Sequence, residues 1–599
     1  ICPVGALTSS QYRFRARPWD LSAAESSCQA CAVGCRVSVE STTNRVVRLL
    51  GVDSEPVNQG WLCDAGRYGF EWVHSGQRVR TPMVRDAKAA GADGLTAASW
   101  PVALAAAAAG LERVRDTHGP EAIAFLGGAR GTNEDAYTWC RLMKGVIGTD
   151  NTDAQLADGL PADVVLGLPR AVIGDLDRAK AIVVIAGDLR EELPILHLRI
   201  RRAAVDLGVP LVEVSARTTG LSRDATVLRA VPGEQARAVE PLVSLLRGDE
   251  RRATAAGRDG DMLASFAAAL EGRDGPVVVV VGRPSVAETA DATVQAAARL
   301  AQVPGTRFLS ALHRGNVHGA LDLGLAPGFL PGRVTLDAGR DHVGATWGTV
   351  PERRGLDAAG ILRAAADGEV RALVLLGCDP LGDFPDRRLA ERAIANVEFL
   401  LVVGAFAEDA AERANVVLAA SVWSEHRGSG SNLEGRVQRL AAKITAEGTT
   451  MASWQIACEL AARFGSDFGL ETVEDVQNEI AAVAPAFAGV DARLIRQVRT
   501  HPRRLGPLVG AHPPHDRRRR HRCVHRGGSA GAAHASTTDA ATRMDSGIGA
   551  AGTDGTRQRV RSAPRGGPHP LRRRPAHDPF AVRRASHRAG ALAREPGGS

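Results

Sequence analysis

Cysteine is scarce in this chain: nine in 599 residues. A secreted disulfide framework of this length would spread more cysteines in pairs, and an odd total cannot pair fully. Long apolar runs are missing as well. Stretches such as Val277–Val281 and Leu373–Leu376 fall far short of the roughly 18 residues a membrane crossing needs, and read as buried strands. No secretory signal is expected at the start, which is Ile1 rather than Met and so is not expected to be the natural one. Residues 501–599 contain no lysine and one aromatic side chain, Phe580, a poor outfit for stacking on bases.

What is present points to a large globular body. The length suffices for three or four domains, and 44% hydrophobic residues suits well-buried cores. The formal net charge of +7 is misleading. Residues 501–599 hold 20 Arg and six acidic residues, a local +14 that leaves −7 for residues 1–500. The body is acidic and the basic character belongs to the tail. That tail also carries nine of the 16 His and shows no sustained periodicity. It reads as a disordered basic segment or as the product of a shifted reading frame in GC-rich coding DNA. The frameshift is favoured because the preceding helix stops without a cap or linker, and a nucleic-acid-binding arm ranks third.

Short apolar runs bounded by Gly, Asp or Pro recur through the body: Ala122–Leu126, Ala181–Ala186, Pro210–Val214, Pro276–Val281, Ala372–Leu376, Phe399–Val403 and Asn415–Leu418. Helical stretches such as the Ala-rich Trp100–Arg115 separate them, which predicts parallel α/β sheets. Several of these strands end in Gly loops (Gly187-Asp188, Gly282-Arg283, Gly377-Cys378-Asp379), the place where such sheets bind ligands, although plain turn chemistry explains any one of them equally well. The expected divisions are a remnant of a preceding domain at 1–20, a small cysteine-bearing domain at 21–80 with strand-like runs Arg36–Glu40 and Arg45–Leu50, α/β domains at 81–500, and the tail at 501–599.

Four of the nine cysteines fall within 36 residues: Cys28-x2-Cys31-x3-Cys35, then Cys63 after 27 more. Structural zinc sites more often pair two knuckles of C-x2-C. Three thiols from one loop and a fourth from a hairpin-sized excursion suit the larger body of a [4Fe–4S] cubane, with Gly34 letting the loop wrap closely. Zinc is the alternative. Cys140, Cys378 and Cys458 read as small core hydrophobes.

The spacing C-x2-C-x3-C-x27-C, with Cys63-Asp64-Ala65-Gly66-Arg67 at the fourth ligand, resembles the iron–sulfur domain of the molybdopterin oxidoreductase family. "SWPVALAAAAAGL" (99–111), "GARGTNEDAY" (128–137), "GTDNTDAQ" (148–155), "LLGCDPLGDFPD" (375–386) and "SNLEGRVQ" (431–438) are similar to successive blocks of that fold. The resemblance implies an α/β chain in which a small iron–sulfur-binding domain precedes molybdopterin-oxidoreductase-like parallel-sheet domains, over roughly residues 22–465. Two departures bear on activity. Catalytic members carry Lys two residues after the fourth cysteine, where this chain has Ala65. Formate dehydrogenase-like members present a molybdenum-binding Cys or selenocysteine, followed by His, in the block that here reads "TDAQLADGLPADVV" (152–165), which has neither. Molybdopterin is therefore not expected, and neither is a catalytic residue in this chain.

"CPVGALT" with "RARPW" (Cys2–Trp19) is similar to the junction with a ferredoxin-like domain in the large iron–sulfur subunit of bacterial NADH-quinone oxidoreductase, or complex I. The resemblance implies that Cys28, Cys31, Cys35 and Cys63 hold a [4Fe–4S] cluster. Cys2 would be the last ligand of an incomplete upstream [4Fe–4S], with further clusters in a missing N-terminal region. It also implies electron transfer from NADH through flavin and iron–sulfur clusters to quinone. The NADH and quinone sites would lie on partner subunits, beside other iron–sulfur subunits of a cytoplasmic arm on the inner face of the membrane. Neither nucleic acid nor a membrane span is expected. The alternatives are a formate dehydrogenase-like molybdopterin oxidoreductase subunit and a metal-bearing nucleic-acid-binding protein.

Overall fold

Strands Ser22–Ser27, Arg36–Thr42 and Arg45–Gly51 form a small antiparallel sheet. Val37, Val39 and Ser41 alternate inward along the second strand, and the buried valines pack with Leu49 on Phe70, Val73, Val422 and Ile444. The second and third strands meet at Thr43 and Asn44, both at positive φ (47° and 59°), so the turn's twist matches that of the hairpin. The computed structural model of the chain describes residues 4, 6–53, 57–85, 94–249, 260–407 and 409–497. All lie within the compact unit from Ile1 to His515. Cys2 and the expected tail at 501–599 lie outside the described residues.

Two large sheets carry the body. One has five strands, all parallel, in the order Thr226–Arg229, Leu211–Ser215, Ala181–Ile185, Val277–Val281 and Thr306–Ser310. Its central Ala181–Ile185 and the neighbouring Val277–Val281 are buried at every position, as parallel strands covered on both faces must be. The other has seven strands, ordered Leu95–Ala97, Met83–Arg85, Val416–Ala419, Phe399–Gly404, Ala372–Leu376, Ile123–Gly127 and Thr152–Asp153. The last five are parallel. The first two join antiparallel, an edge that the expectation of parallel sheets did not include. Strands of three residues are too short to show a period.

The expected buried strands agree with the observed ones to within about two residues, the usual uncertainty of element ends. Helix Trp100–His118 turns its buried Ala103, Leu104, Ala107, Ala108 and Leu111 inward, on the spacing that made it legible. Helix Asn133–Cys140, opened by a Thr132/Asp135 capping box, is buried along its whole length and continues as a π-helix over Arg141–Ile147. A short hairpin, Gly428–Ser431 with Val437–Leu440, reaches from the body to the small sheet. No helix among the described residues is long and apolar enough to cross a membrane.

Candidate iron–sulfur site

The cysteine loop closes the first hairpin of the small sheet. Ser27 pairs with Arg36, and inside that pair the Cys28 N–H donates to the Cys35 carbonyl at 2.8 Å, so both ends of the loop are fixed by the sheet register. Ala32, Val33 and Cys35 are buried, while Cys28 and Cys31 are half-buried at its rim. The fourth cysteine reaches them through Asn58, a wholly buried side chain. Its Oδ1 accepts from the Arg36 N–H at 2.9 Å, and its Nδ2 donates to the Trp61 carbonyl at 2.8 Å and to the Arg36 carbonyl at 3.3 Å. Asn58 thus ties the residue after Cys35 to a residue two before Cys63.

Cys63 itself is the N-cap of the short helix Asp64–Tyr68, and its Sγ accepts from the Gly66 N–H at 3.4 Å. The Ala30 N–H donates to Cys28 Sγ at the same distance. Burial pushes the Cys28 thiol up to about 11 and Cys31 to about 12, and Cys35 well above its ordinary value. The second cause in Cys31 and Cys35 is repulsion from Cys28, and Cys63 adds a smaller repulsion in all three. Among the described residues, no three His, Cys, Asp or Glu side chains stand at the spacing of ligands around a single metal ion.

Two glycines lie at the approach to the sulfurs. A Cβ on Gly66 would come within 3.2 Å of Cys28 Sγ, so glycine lets the helix lie close beside that sulfur. Gly34 adopts φ +65°, and a Cβ on it would lie 2.6 Å from Gln438 Oε1 and 2.7 Å from Asn432 Cβ. That close approach comes from the body's hairpin: Asn432 Nδ2 donates to the Val33 carbonyl at 3.1 Å, and the Leu433 N–H to the Ala32 carbonyl at 2.8 Å. The cysteine loop is therefore clamped from outside by a hairpin 399 positions downstream of Val33. The buried pair Arg78–Glu425 (2.7 and 2.8 Å) holds the other end of the small domain, with Arg78 also donating to the Val73 carbonyl.

The four cysteines are legible in the sequence; Asn58, Gly66 and the clamp are not. "SNLEGRVQ" stands out as a family block, yet nothing local says that it touches the cysteines. Ala65, at the position of the relay lysine in catalytic members, lies in the Cys63-capped helix. In the segment 152–165 the chain runs through strand Thr152–Asp153 into helix Ala162–Gly167 and offers no thiol or imidazole. Cys140 is buried, and Cys378 and Cys458 pack against the core. Cys378, at the carboxyl end of Ala372–Leu376, donates to the Leu126 carbonyl at 3.3 Å. Neither the segment nor these three cysteines supplies the thiol and imidazole expected of a formate dehydrogenase-like site; the segment's potential donors are the carboxylates Asp153, Asp158 and Asp163.

Three cysteines on one clamped loop and a fourth at a neighbouring helix N-cap, beside two large, mainly parallel α/β sheets, are the arrangement of one class of iron–sulfur protein. The chain matches the molybdopterin oxidoreductase Fe4S4 domain over residues 21–75 and molybdopterin oxidoreductase over 78–463, and it belongs to the molybdopterin oxidoreductase family. Among curated relatives it is 33% identical to an NADH-quinone oxidoreductase subunit of Mycobacterium tuberculosis over 503 residues, covering 81% of this chain and 58% of that protein. It is 32% identical to NADPH-Fe(3+) oxidoreductase subunit alpha of Geobacter sulfurreducens over 530 residues, 82% of this chain and 61% of that protein. F420-dependent formate dehydrogenase 1 subunit alpha of Methanococcus maripaludis is 27% identical, over 77% of this chain and 74% of that one. The chain spans about three-fifths of the length of the first two. Acetylene hydratase from Pelobacter acetylenicus shares the fold, with a TM-score of 0.59 at 15% identity over 81% of this chain and 74% of that one.

Proposed function

We propose that this chain is an iron–sulfur subunit of a proton-pumping NADH-quinone oxidoreductase, in which Cys28, Cys31, Cys35 and Cys63 ligate one [4Fe–4S] cluster. The observation that carries this is the clamped loop of Cys28, Cys31 and Cys35, with Cys63 at a neighbouring helix N-cap, in a body whose 152–165 segment holds no thiol or imidazole. When bound, such a cluster accepts and releases single electrons. The protein's part is to hold four sulfurs in register, to aim the Ala30 and Gly66 N–H groups at them, and to keep water from Cys35 by burial. N–H donors and exclusion of solvent are what set the potential of such a group.

Ala65 provides no charged link from the cluster into the body, so the cluster serves electron transfer or the architecture of the arm rather than a reaction in this chain. The NADH, flavin and quinone sites belong to partner subunits of a peripheral arm at the inner face of the membrane. The domain division is 1–20 as a remnant of a ferredoxin-like domain with Cys2 as an upstream ligand, 21–80 around the cluster, 81–500 as the α/β body, and 501–599 as the basic tail.

The likeness to the Geobacter protein supports a second reading, with NADPH as donor and ferric iron as acceptor. One experiment separates the two. In the producing organism, the gene is changed to encode Cys63→Ser, and membranes and soluble fractions are assayed. The proposal expects the reduced cluster's EPR signal to disappear and NADH-quinone reductase activity, or assembly of the complex, to fall. Loss of a soluble NADPH-ferric reductase with intact quinone reduction would move the assignment to the second reading. An unchanged EPR spectrum would refute the ligand set.

A further inference from the structure

Among the parallel strands of each large sheet the chain order reverses once. The reversal falls between Ile123–Gly127 and Ala372–Leu376 in one, and between Ala181–Ile185 and Val277–Val281 in the other. Open α/β sheets bind ligands in the crevice outside the carboxyl ends of such strands, and a phosphate-bearing ligand uses free backbone N–H groups at the start of the next helix. At one strand beside each reversal point, the N–H groups nearest the strand end are taken. Asp188, after Ala181–Ile185, accepts from the Arg190 and Gly220 N–H groups, and Asp379, after Ala372–Leu376, accepts from Leu381 N–H at 3.0 Å.

The arginines at these strand ends are committed as well. Arg130, after Ile123–Gly127, makes a two-pronged pair with Asp383 (2.8 and 2.9 Å) and donates to the Gly377 carbonyl, bridging the first reversal point. Arg314, after Thr306–Ser310 of the five-stranded sheet, pairs with Asp158 of the seven-stranded sheet's loops at 2.6 Å and lies 3.7 Å from Asp383. Arg283, after Val277–Val281, donates to the Ala157 carbonyl. Arg130 and Arg314, by hydrogen bond and charge, hold Asp383 below its ordinary value against the opposing effect of burial, so it stays ionised and paired at neutral pH. Three of these contacts, Arg314–Asp158, Arg314–Asp383 and Arg283–Ala157, join the ends of the two sheets directly.

We propose that the strand-end crevices of this chain form an ionic seam fastening the loops of its two parallel sheets together, and that the seam excludes an anionic dinucleotide of the pterin type. A pyrophosphate entering there would meet Asp158, Asp188, Asp379 and Asp383 and would have to break an existing pair for every arginine it gained. Removing one partner of such a network leaves the other charge uncompensated, so its members should behave as a unit. The inference does not rest on the quinone-reductase reading, since it concerns only what this chain's own loops do to each other.

Two measurements on the full chain test it. First, the protein is produced in a host that makes molybdenum–pterin cofactors, and molybdenum and oxidisable pterin are measured in the purified product. No more than in a mock purification is expected, and any excess overturns the exclusion. Second, thermal unfolding is compared for the chain and for Arg314→Gln, Asp158→Asn and the double variant. Each single change is expected to lower Tm by about 2 °C or more, and the double by no more than the larger single loss. Additive losses overturn the seam. Should Arg314→Gln fail to fold, the same cycle with Arg314→Met and Asp158→Leu decides by the same criterion.

Discussion

Arg78→Met would test how the cysteine domain is fastened to the body. Arg78 and Glu425 have fully buried side chains and exchange two hydrogen bonds of 2.7 and 2.8 Å, and Arg78 also donates to the Val73 carbonyl at 2.9 Å. The methionine would leave the Glu425 carboxylate with the Val422 N–H at 2.9 Å as its remaining donor among these contacts. Stranding one member of a buried pair costs about 3–5 kcal/mol, a third or more of the stability of a typical domain. The double variant Arg78→Met/Glu425→Met removes both charges at similar volume and should lose less than about 2 kcal/mol. The assay is urea unfolding followed at once by far-ultraviolet circular dichroism and by the visible absorbance of the cluster. Because Arg78 grips Val73 in the small domain's core, the absorbance transition should shift at least as far as the dichroism. A single variant costing under about 1 kcal/mol, or a double variant costing the sum of the singles, would refute the reasoning.

Asn58→Ala leaves the Arg36 N–H and the Trp61 carbonyl without their partner, at about 3 kcal/mol, while the Arg36 carbonyl keeps the Val52 N–H; it also frees the arm that presents Cys63. Iron per chain after anaerobic purification should fall below the wild-type value, and unchanged iron would count against the role given to Asn58. Gly66→Ala places a methyl 2.8 Å from Leu62 Cδ1 and 3.2 Å from Cys28 Sγ. The leucine can swing aside but a ligated sulfur cannot, so a strain of about 1–3 kcal/mol should shorten the cluster's life under a chelator; equal lifetimes would show the approach to be loose. Burial raises Asp153 from 3.8 to about 7. Between those pH values the folded chain keeps a proton that the unfolded chain has released, so stability falls as pH rises from about 4 to about 7 and then levels. The contribution is about 4 kcal/mol from a shift of this size. It appears as a stability difference between wild type and Asp153→Asn that declines across that window, and a pH-independent difference would contradict it.

Much of this protein could be read without coordinates, for identifiable reasons. Strands such as Val277–Val281 and Ala372–Leu376 announce themselves because parallel strands buried on both faces must be apolar at every position. The three-plus-one spacing of Cys28, Cys31, Cys35 and Cys63 is chemistry written into a short segment. Ala65 and the thiol-free 152–165 segment carried the functional inference, because a missing ligand is visible in any notation. The antiparallel edge Met83–Arg85 and Leu95–Ala97 was not legible, since three residues have no period.

The tertiary structure alone decided what surrounds the sulfurs. Asn58, the Asn432–Leu433 clamp and the Arg78–Glu425 pair join residues separated by between 22 and roughly 400 positions. No local propensity encodes such pairings, because their energy comes from burying complementary polar groups that the chain brings together only once both sheets have formed. The same holds for the strand-end crevices. Their glycine loops look like ligand sites in sequence, and only the folded positions of Arg130, Arg314, Asp158 and Asp383 show the chain's own charges already in place.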